Sequence, residues 1–259
     1  MRSLSEVGKH ILQEYLLGDA FLWRMPGGAA CALTFDDGPN IEHTPRVLDL
    51  LHGHGVQATF FVVGQAAAAA PALLRRIVEE GHAVGSHTYS HRDIPTLTRK
   101  ELWQELSSCR ELIKDLTGVD TRLVRPPRGR INAAALVRMK RWGYRLVHWS
   151  KTYSDYLRDG CEPLLRRIHA RGLEPCDIAL FHDRLNPVLS IRGRLNGPPS
   201  AVSLVPVVAV EPIQRDAAPL ENSRRRTAET PRMHNHRGTQ LHLTDFAELH
   251  RIRKSGYQQ

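Results

Sequence analysis

The stretch Thr34-Phe35-Asp36-Asp37-Gly38-Pro39 places two adjacent carboxylates at the end of an apolar run. The run over residues 31–35 predicts a short buried strand, and Gly38-Pro39 ends it with a turn. Because side chains alternate along a strand, Asp36 and Asp37 should point in different directions from one backbone position. Paired carboxylates can divide the work, one holding a metal ion and the other moving a proton. For this hexapeptide alone, a solvated Asp-Asp turn is the alternative.

Segments with strand and helix periodicity alternate along the chain after this strand. The strands are predicted at 57–63, 83–86, 122–125, 144–149 and 177–181, and the helices at 44–54, 72–80, 98–117, 133–142 and 161–170. The helix over 98–117 carries the clearest signals, since Thr98 and Glu101 form a capping box and Gly118 follows. The alternation predicts an α/β protein with a parallel sheet, either open or closed into a barrel.

The chain divides into four segments by composition. Residues 1–28 are expected to form an amphipathic helix and a lead-in, and residues 29–190 the main domain. Residues 191–240 are rich in proline and arginine and are predicted to be disordered. An apolar island at 202–210 contains Pro206, which argues against a central strand there. Residues 241–259 are predicted to form a last helix.

The composition is that of a soluble globular protein, with 41% hydrophobic and 24% charged residues. The net charge of +9 favours anionic partners in general, but part of the excess is arginine in the C-terminal quarter, including Arg224-Arg225-Arg226. No nucleic-acid-binding motif accompanies it, so we predict no nucleic-acid partner.

Cysteine usage and hydropathy give expectations about the compartment. The four cysteines form no Cys-x-x-Cys pair and are expected to be reduced rather than a disulfide framework. No signal peptide is seen, and no apolar run reaches membrane-spanning length. We therefore expect a cytoplasmic protein, with peripheral membrane association as the alternative; the sequence makes no prediction of the oligomeric state.

Two further motifs follow predicted strands. His87-Thr88-Tyr89-Ser90-His91 comes just after the strand at 83–86, and two histidines four residues apart can meet one metal ion if the segment turns. Arg125-Pro126-Pro127-Arg128-Gly129 follows the strand at 122–125, and its prolines fix the loop so that Arg125 can pair with Asp36. The alternatives are a surface histidine pair and a rigid turn with solvated arginines.

The last two motifs also lie just after predicted strands. Asp155 lies in the loop after the strand at 144–149, and Leu180-Phe181-His182-Asp183 ends the strand at 177–181. The alternatives, for each residue taken singly, are that Asp155 is a solvated loop carboxylate and that His182 is a buried histidine. Together, all five motifs lie at the C-terminal ends of predicted strands, which is the edge where α/β proteins place active sites.

The five motifs in this order resemble the polysaccharide deacetylase family, also described as the NodB-homology or carbohydrate esterase family 4 domain. The resemblance covers roughly residues 31–183, together with the last helix. It implies a distorted (β/α) barrel with seven strands.

The resemblance also implies a metal site and a base. Asp37, His87 and His91 would bind a divalent metal ion, usually zinc. Asp36 would act as the general base toward water. Arg125 would pair with Asp36 and tune it.

The remaining roles implied by the family concern the leaving group and the substrate. His182 would be the general acid on the leaving amine, oriented by Asp155. The backbone N–H of Arg128 would help hold the oxyanion, and Leu180 would line the pocket for the acetyl methyl group. Tyr156 would contribute to the aromatic wall of the groove.

Three features depart from the family pattern. Arg128 replaces an aromatic residue, and Tyr156 replaces a tryptophan. The strand expected after Gly256-Tyr257 has no counterpart, so the last strand is expected to be missing and the barrel incompletely closed.

The sequence thus predicts a metal-dependent hydrolase that removes N-acetyl groups from an N-acetylglucosamine-containing polysaccharide, oligosaccharide or glycolipid. One alternative is a hydrolase of another non-peptide carbon–nitrogen bond, in a cyclic or linear amide. The other alternative is a non-catalytic glycan-binding module.

Overall fold

The structure is a computed structural model and describes residues 6–11, 18–157, 159–183 and 206–207. The strands are β1 (Phe21–Leu22), β2 (Ala32–Asp36), β3 (Thr59–Val62), β4 (Ala83–Ser86), β5 (Leu123–Val124), β6 (Arg145–Val147), β7 (Lys151–Thr152) and β8 (Ile178–His182). The helices are α1 (Glu6–Ile11), α2 (Thr44–Gly53), α3 (Gly64–Ala69), α4 (Pro71–Glu79), α5 (Arg99–Thr117), α6 (Ala133–Arg141) and α7 (Cys161–Arg171). Strands and helices alternate, as the sequence pattern predicts for an α/β protein.

The strands form one sheet in the order β1-β6-β5-β4-β3-β2-β8-β7. All of the paired strands run parallel. Their carboxyl ends therefore meet at a single edge of the sheet. In the register of β2 and β8, Asp36 lies directly opposite His182.

The segment that joins β6 to β7 shows how strongly the sheet curls. β6 pairs with β1 at one end of the sheet, whereas β7 is the strand at the other end. The backbone N–H of His148 donates to the Leu22 carbonyl at 2.6 Å, and that of Ser150 donates to the Ile178 carbonyl at 3.1 Å. Because this short link spans at most about 14 Å, the two ends of the sheet lie close together. The sheet is therefore a distorted, incompletely closed barrel, and the predicted fold class is confirmed.

Two layers of side chains pack on the opposite faces of the sheet. Phe60 belongs to an outer layer in which strand residues pack against helices α2, α4, α5 and α7. Its neighbour Phe61 belongs to an inner cluster formed by residues of six strands, β1, β2, β3, β5, β6 and β8. The alternation of adjacent residues between the two clusters is the period-2 geometry of a strand buried on both faces.

Helix α5 begins and ends where its sequence signals predicted. The Thr98 hydroxyl accepts from the Glu101 backbone N–H, and the Glu101 side chain accepts from the Thr98 N–H. Gly118 ends the helix with a φ of 76°, a left-handed conformation that favours glycine.

Three short elements, β1, β7 and α3, were not predicted from the sequence. The strand predicted at 144–149 corresponds to β6, and β7 follows it beyond the predicted range. The chain leaves the hydrogen bonds of one sheet end at His148 and joins those of the other at Ser150. Helix α3 forms although no helix was predicted there. Its sequence is mostly alanine, the residue with the highest helix propensity.

Several predictions fall on the rest of the chain. The last helix at 241–259 and the missing closing strand lie outside the described residues. Of the N-terminal helix, the structure describes α1. Of the range 191–240, it describes Pro206 and Val207, so the disorder predicted for the remainder stays a prediction. Among the described residues, no helix is both long enough and apolar enough to cross a membrane.

Val207 fills the end of the barrel opposite the carboxyl edge. Its side chain is fully buried in the inner cluster with Phe61 and Ile178. Its backbone N–H donates to the hydroxyl of Thr59, the first residue of β3, at 2.9 Å. Within a range of disorder-promoting composition, this residue is therefore part of the core.

We predict that Val207→Ala lowers the free energy of unfolding by about 2 kcal/mol, because it removes two buried methyl groups and leaves a cavity. Denaturant unfolding measures the change. Ile41→Ala is the control, since Ile41 is 73% exposed and its truncation should change stability by at most about 0.5 kcal/mol. Equal effects of the two substitutions would show that Val207 is not a core residue.

Candidate metal centre and active site

Polar side chains from the five sequence motifs meet at the carboxyl edge of the barrel. Asp36 and His182 are the last residues of β2 and β8. His87 and Arg125 directly follow β4 and β5, and Asp155 lies in a short turn (Asp155–Leu157) soon after β7. Since the strands are parallel, the predicted coincidence of these motifs at one edge is confirmed.

Asp37, His87 and His91 form a cluster that fits a metal ion. One ligand atom from each of the three lies within 4.8 Å of the others. The Nε2 atoms of His91 and His87 lie 3.1 Å and 3.5 Å from Asp37 Oδ1. Such a set of one carboxylate and two imidazoles leaves coordination positions open, as hydrolytic metal sites require.

The tautomer of His87 suits a ligand role. Its Nδ1 lies 2.8 Å from the carbonyl oxygen of Arg125, which can only accept, so Nδ1 carries the proton. The unprotonated Nε2 then faces the carboxylates of Asp36 and Asp37. A hydrogen bond of this kind from the second ring nitrogen orients a metal-binding histidine.

The protonation states of two of these groups also fit metal binding. Burial raises the pKa of Asp37, but the hydrogen bond from His91 and the charge of His182 outweigh it and lower the pKa to about 2. Burial lowers the pKa of His87 and keeps its imidazole neutral, although Asp36 and Asp37 oppose the shift. An ionised carboxylate beside a neutral imidazole is the form that binds a divalent ion.

Asp36, the other half of the pair, is held by a fully buried arginine. Arg125 Nη1 donates to Asp36 Oδ1 at 2.8 Å and to the hydroxyl of Thr34 at 2.6 Å. Nε and Nη2 of Arg125 donate to the carbonyls of Val147 and His148 at 3.2 Å and 3.0 Å. Burial lowers the pKa of Arg125 and the charge of Asp36 opposes this, so the guanidinium stays charged and paired.

The two aspartates therefore have different surroundings although they are adjacent in sequence. Asp36 is an inward-facing residue of β2 and is 2% exposed. Asp37 follows the strand with a φ of 77° and reaches the histidines. The left-handed backbone at Asp37 redirects its side chain, which is how two neighbouring carboxylates come to serve one site.

His182 and Asp155 form the second polar pair. One Asp155 oxygen accepts from the His182 backbone N–H at 2.7 Å, and the other lies 2.9 Å from His182 Nδ1. Burial lowers the pKa of His182, but the hydrogen bond and charge of Asp155, aided by Asp36 and Asp37, raise it to about 9. The imidazole is therefore protonated at neutral pH, with Nε2 available to donate a proton.

The three residues predicted to contact substrate lie around this centre. Leu180 is buried one pleat below His182 on the same face of β8. The ring of Tyr156 is half exposed and stands edge-on to that of His182, with centroids 6.1 Å apart. Arg128 has a left-handed φ of 55°, and its exposed side chain donates to Asp93 at 2.8 Å. Their contacts with substrate stay predictions.

Two residues near the centre were missed in the sequence analysis. Thr34 holds Arg125 from inside the barrel and donates to the Ala179 carbonyl at 2.7 Å. Asp183 accepts from the Thr44 hydroxyl at 2.6 Å and lies so close to Gly38 that a Cβ there would be 2.1 Å from its oxygen. The sequence contained a signal for both residues, since Thr34 lies on the same strand face as Asp36 and Asp183 follows His182 directly.

Comparison with known proteins supports the resemblance drawn from the motifs. The model of the polysaccharide deacetylase family matches residues 20–147. The chain is 36% identical to a chitooligosaccharide deacetylase of Sinorhizobium fredii over 162 residues, which cover 62% of this chain and 75% of that one. It is 38% identical to a peptidoglycan-N-acetylglucosamine deacetylase of Bacillus cereus over 128 residues, 49% of this chain and 46% of that one.

Solved structures show the same fold. A crystal structure of a peptidoglycan N-acetylglucosamine deacetylase superposes with a TM-score of 0.65 at 28% identity, covering 74% of this chain and 92% of that one. The chain spans about half the length of the first curated relatives that it matches.

The pair formed by His182 and Asp155 predicts a pH-dependent stability. A histidine whose pKa is raised on folding contributes stability that is fully present below pH 6.5 and is lost as the pH rises through about 9. In metal-free protein, Asp155→Asn should lower the pKa of His182, measured by NMR titration. It should also cost more unfolding free energy at pH 6 than at pH 10.

Asp115→Asn, an exposed change on α5, is the control and should leave that pKa unchanged. A wild-type His182 that titrates at its ordinary value, or an Asp155→Asn loss that is equal at both pH values, would contradict the assignment.

Proposed function

Because the chain belongs to the polysaccharide deacetylase family, we propose that it is a metal-dependent hydrolase acting on N-acetylated glycans. The reaction is removal of acetyl groups from an N-acetylglucosamine-containing polysaccharide, oligosaccharide or glycolipid. The observation that carries the proposal is the convergence at one barrel edge of a three-ligand cluster, a buried carboxylate and a protonated histidine.

The metal would be held by Asp37, His87 and His91. The donor set, the neutral His87 and the ionised Asp37 fit a divalent ion, and one carboxylate with two imidazoles suits zinc. When bound, such an ion would supply Lewis-acid chemistry, which polarises the acetyl carbonyl and lowers the pKa of water.

Asp36 is proposed as the general base. Its Oδ1 is occupied by Arg125, and its Oδ2 lies 3.8 Å from His87 Nε2, on the side of the metal cluster. This carboxylate can take the proton from the water that attacks the acetyl carbon. Arg125 fixes the carboxylate in that orientation and balances its charge.

His182 is proposed as the general acid. Asp155 holds Nδ1, so the proton on Nε2 is the one directed to the leaving group. As the carbon–nitrogen bond of the acetamide breaks, this proton passes to the amine nitrogen. An amine is a poor leaving group unless protonated, and a pKa of about 9 keeps the donor charged at neutral pH.

The substrate contacts follow the family pattern. The backbone N–H of Arg128 is proposed to stabilise the oxyanion, and Leu180 to contact the acetyl methyl group. Tyr156 is proposed as an exposed wall for a sugar ring. One relative is named for peptidoglycan N-acetylglucosamine and another for chitooligosaccharide, which is an oligomer of the same sugar.

We predict acetate release from N-acetylglucosamine oligomers by the zinc-loaded protein. Asp36→Asn and His182→Ala should each lower the rate by about 10²–10⁴-fold, because each removes one proton transfer. His87→Ala should abolish stoichiometric zinc binding, measured by metal analysis after dialysis. Asp115→Asn and His169→Ala, two exposed changes, are the matched controls and should leave activity unchanged.

The outcomes separate this proposal from its alternatives. Full activity of Asp36→Asn or His182→Ala would refute the assigned roles. Glycan binding without acetate release under any divalent metal would favour a non-catalytic module. Activity on cyclic or other linear amides alone would favour a different carbon–nitrogen hydrolase.

A further inference from the structure

The segment that carries the two histidine ligands has an unusual backbone. His87 and His91 are separated by Thr88, Tyr89 and Ser90, and both Thr88 and His91 have left-handed φ values, 66° and 59°. Residues with side chains rarely adopt this conformation unless the surrounding structure imposes it. The ligand positions therefore depend on what holds this segment from outside.

One side of the segment is held by the start of helix α3. The backbone N–H groups of Gly64 and Gln65 donate to the carbonyls of Thr88 and Tyr89 at 3.0 Å and 2.8 Å. Gly64 lets the two backbones approach, because a Cβ there would lie 2.4 Å from the ring of Tyr89. These hydrogen bonds use carbonyl groups of the 87–91 segment, so its backbone N–H groups are left to other partners.

Glu105, a residue of α5, binds the other side. Its Oε2 accepts from the backbone N–H groups of Tyr89 and Ser90 at 2.9 Å and 2.8 Å, and its Oε1 accepts from the Ser90 hydroxyl at 2.5 Å. A carboxylate is suited to this place because all three partners are donors and both of its oxygens accept.

Glu105 is itself held rigidly. It is 9% exposed, between the buried Leu102 and Leu106 on a helix whose first turn is fixed by a capping box. In the part of the chain that the structure describes, no lysine or arginine pairs with its carboxylate, so the three hydrogen bonds of the segment are what compensate its burial.

We propose that Glu105 is a positioning residue that holds the 87–91 segment in the geometry needed for metal binding. This inference rests on the proposed metal site. The hydrogen bonds of Glu105 go to the backbone and the Ser90 hydroxyl between the two histidines and not to a metal-ligand side chain, so it acts through this backbone. Outer-shell residues that orient metal ligands typically contribute about 10–100-fold to metal affinity, and we expect an effect of that size from Glu105.

The test is calorimetric titration of zinc ions into metal-free protein, with wild type, Glu105→Ala, Glu105→Gln and Glu111→Ala. Glu105→Ala should weaken zinc binding by about 10–100-fold. Glu105→Gln, which keeps the shape and one strong acceptor, should lie between wild type and Glu105→Ala. Glu111→Ala removes an exposed carboxylate from the same helix and should bind zinc as wild type does.

Circular dichroism of each metal-free variant separates metal affinity from folding. A folded Glu105→Ala protein with wild-type zinc affinity overturns the inference, as does an equal loss in Glu111→Ala. If Glu105→Ala does not fold, the zinc affinities of Glu105→Gln and Ser90→Ala replace it as the test. Weakened zinc binding in either variant supports the inference, and wild-type affinity in both overturns it.

The proposed function and this inference fail differently. A wild-type protein that binds no zinc refutes the metal site and the inference together. A wild-type protein that binds zinc and releases acetate, with Glu105→Ala equal to it in affinity, refutes the inference alone.

Discussion

The buried ion pair between Arg125 and Asp36 is the interaction on which the site depends. It joins the end of β5 to the end of β2 across the barrel interior, with both side chains almost completely removed from water. The guanidinium also donates to the backbone carbonyls of Val147, the last residue of β6, and of His148, and its central carbon lies 4.2 Å from the ring centroid of Phe61. Removing either partner would leave an uncompensated buried charge, which typically costs about 3–5 kcal/mol.

This pair also separates the work of the two aspartates. Because Arg125 occupies one oxygen of Asp36, that carboxylate is fixed beside the metal cluster rather than within it. Asp37 turns away on a left-handed backbone and joins His87 and His91. Arg125 contributes again through its carbonyl, which orients His87. One residue thus positions both the proposed base and a proposed metal ligand, while Asp155 positions the proposed acid from the turn that follows β7.

Much of this could be predicted from sequence because it is encoded locally. The strands are short apolar runs, and each functional residue follows its run directly, so parallel strands bring Asp36, His87, Arg125 and His182 together.

The features that could not be predicted from sequence depend on distant contacts. The carbonyl partners of Arg125 are backbone atoms and have no sequence signal, and Glu105 reads as one more acidic residue on an amphipathic helix. Val207 lies in a range of disorder-promoting composition, and only its contact with a strand 148 residues earlier shows that it belongs to the core. The existence of β7 likewise depends on a distant contact, since its two residues pair with β8 at the far end of the sheet.

The most direct measurement is X-ray diffraction at the zinc absorption edge from crystals of this protein grown with zinc. The account predicts one strong anomalous peak at the carboxyl edge of the barrel, about 2.0–2.2 Å from single atoms of Asp37, His87 and His91. It also predicts that Asp36 remains paired with Arg125 and does not join the coordination sphere. A fully occupied zinc ion bound elsewhere with this cluster empty, or a zinc ion that draws Asp36 away from Arg125, would contradict it.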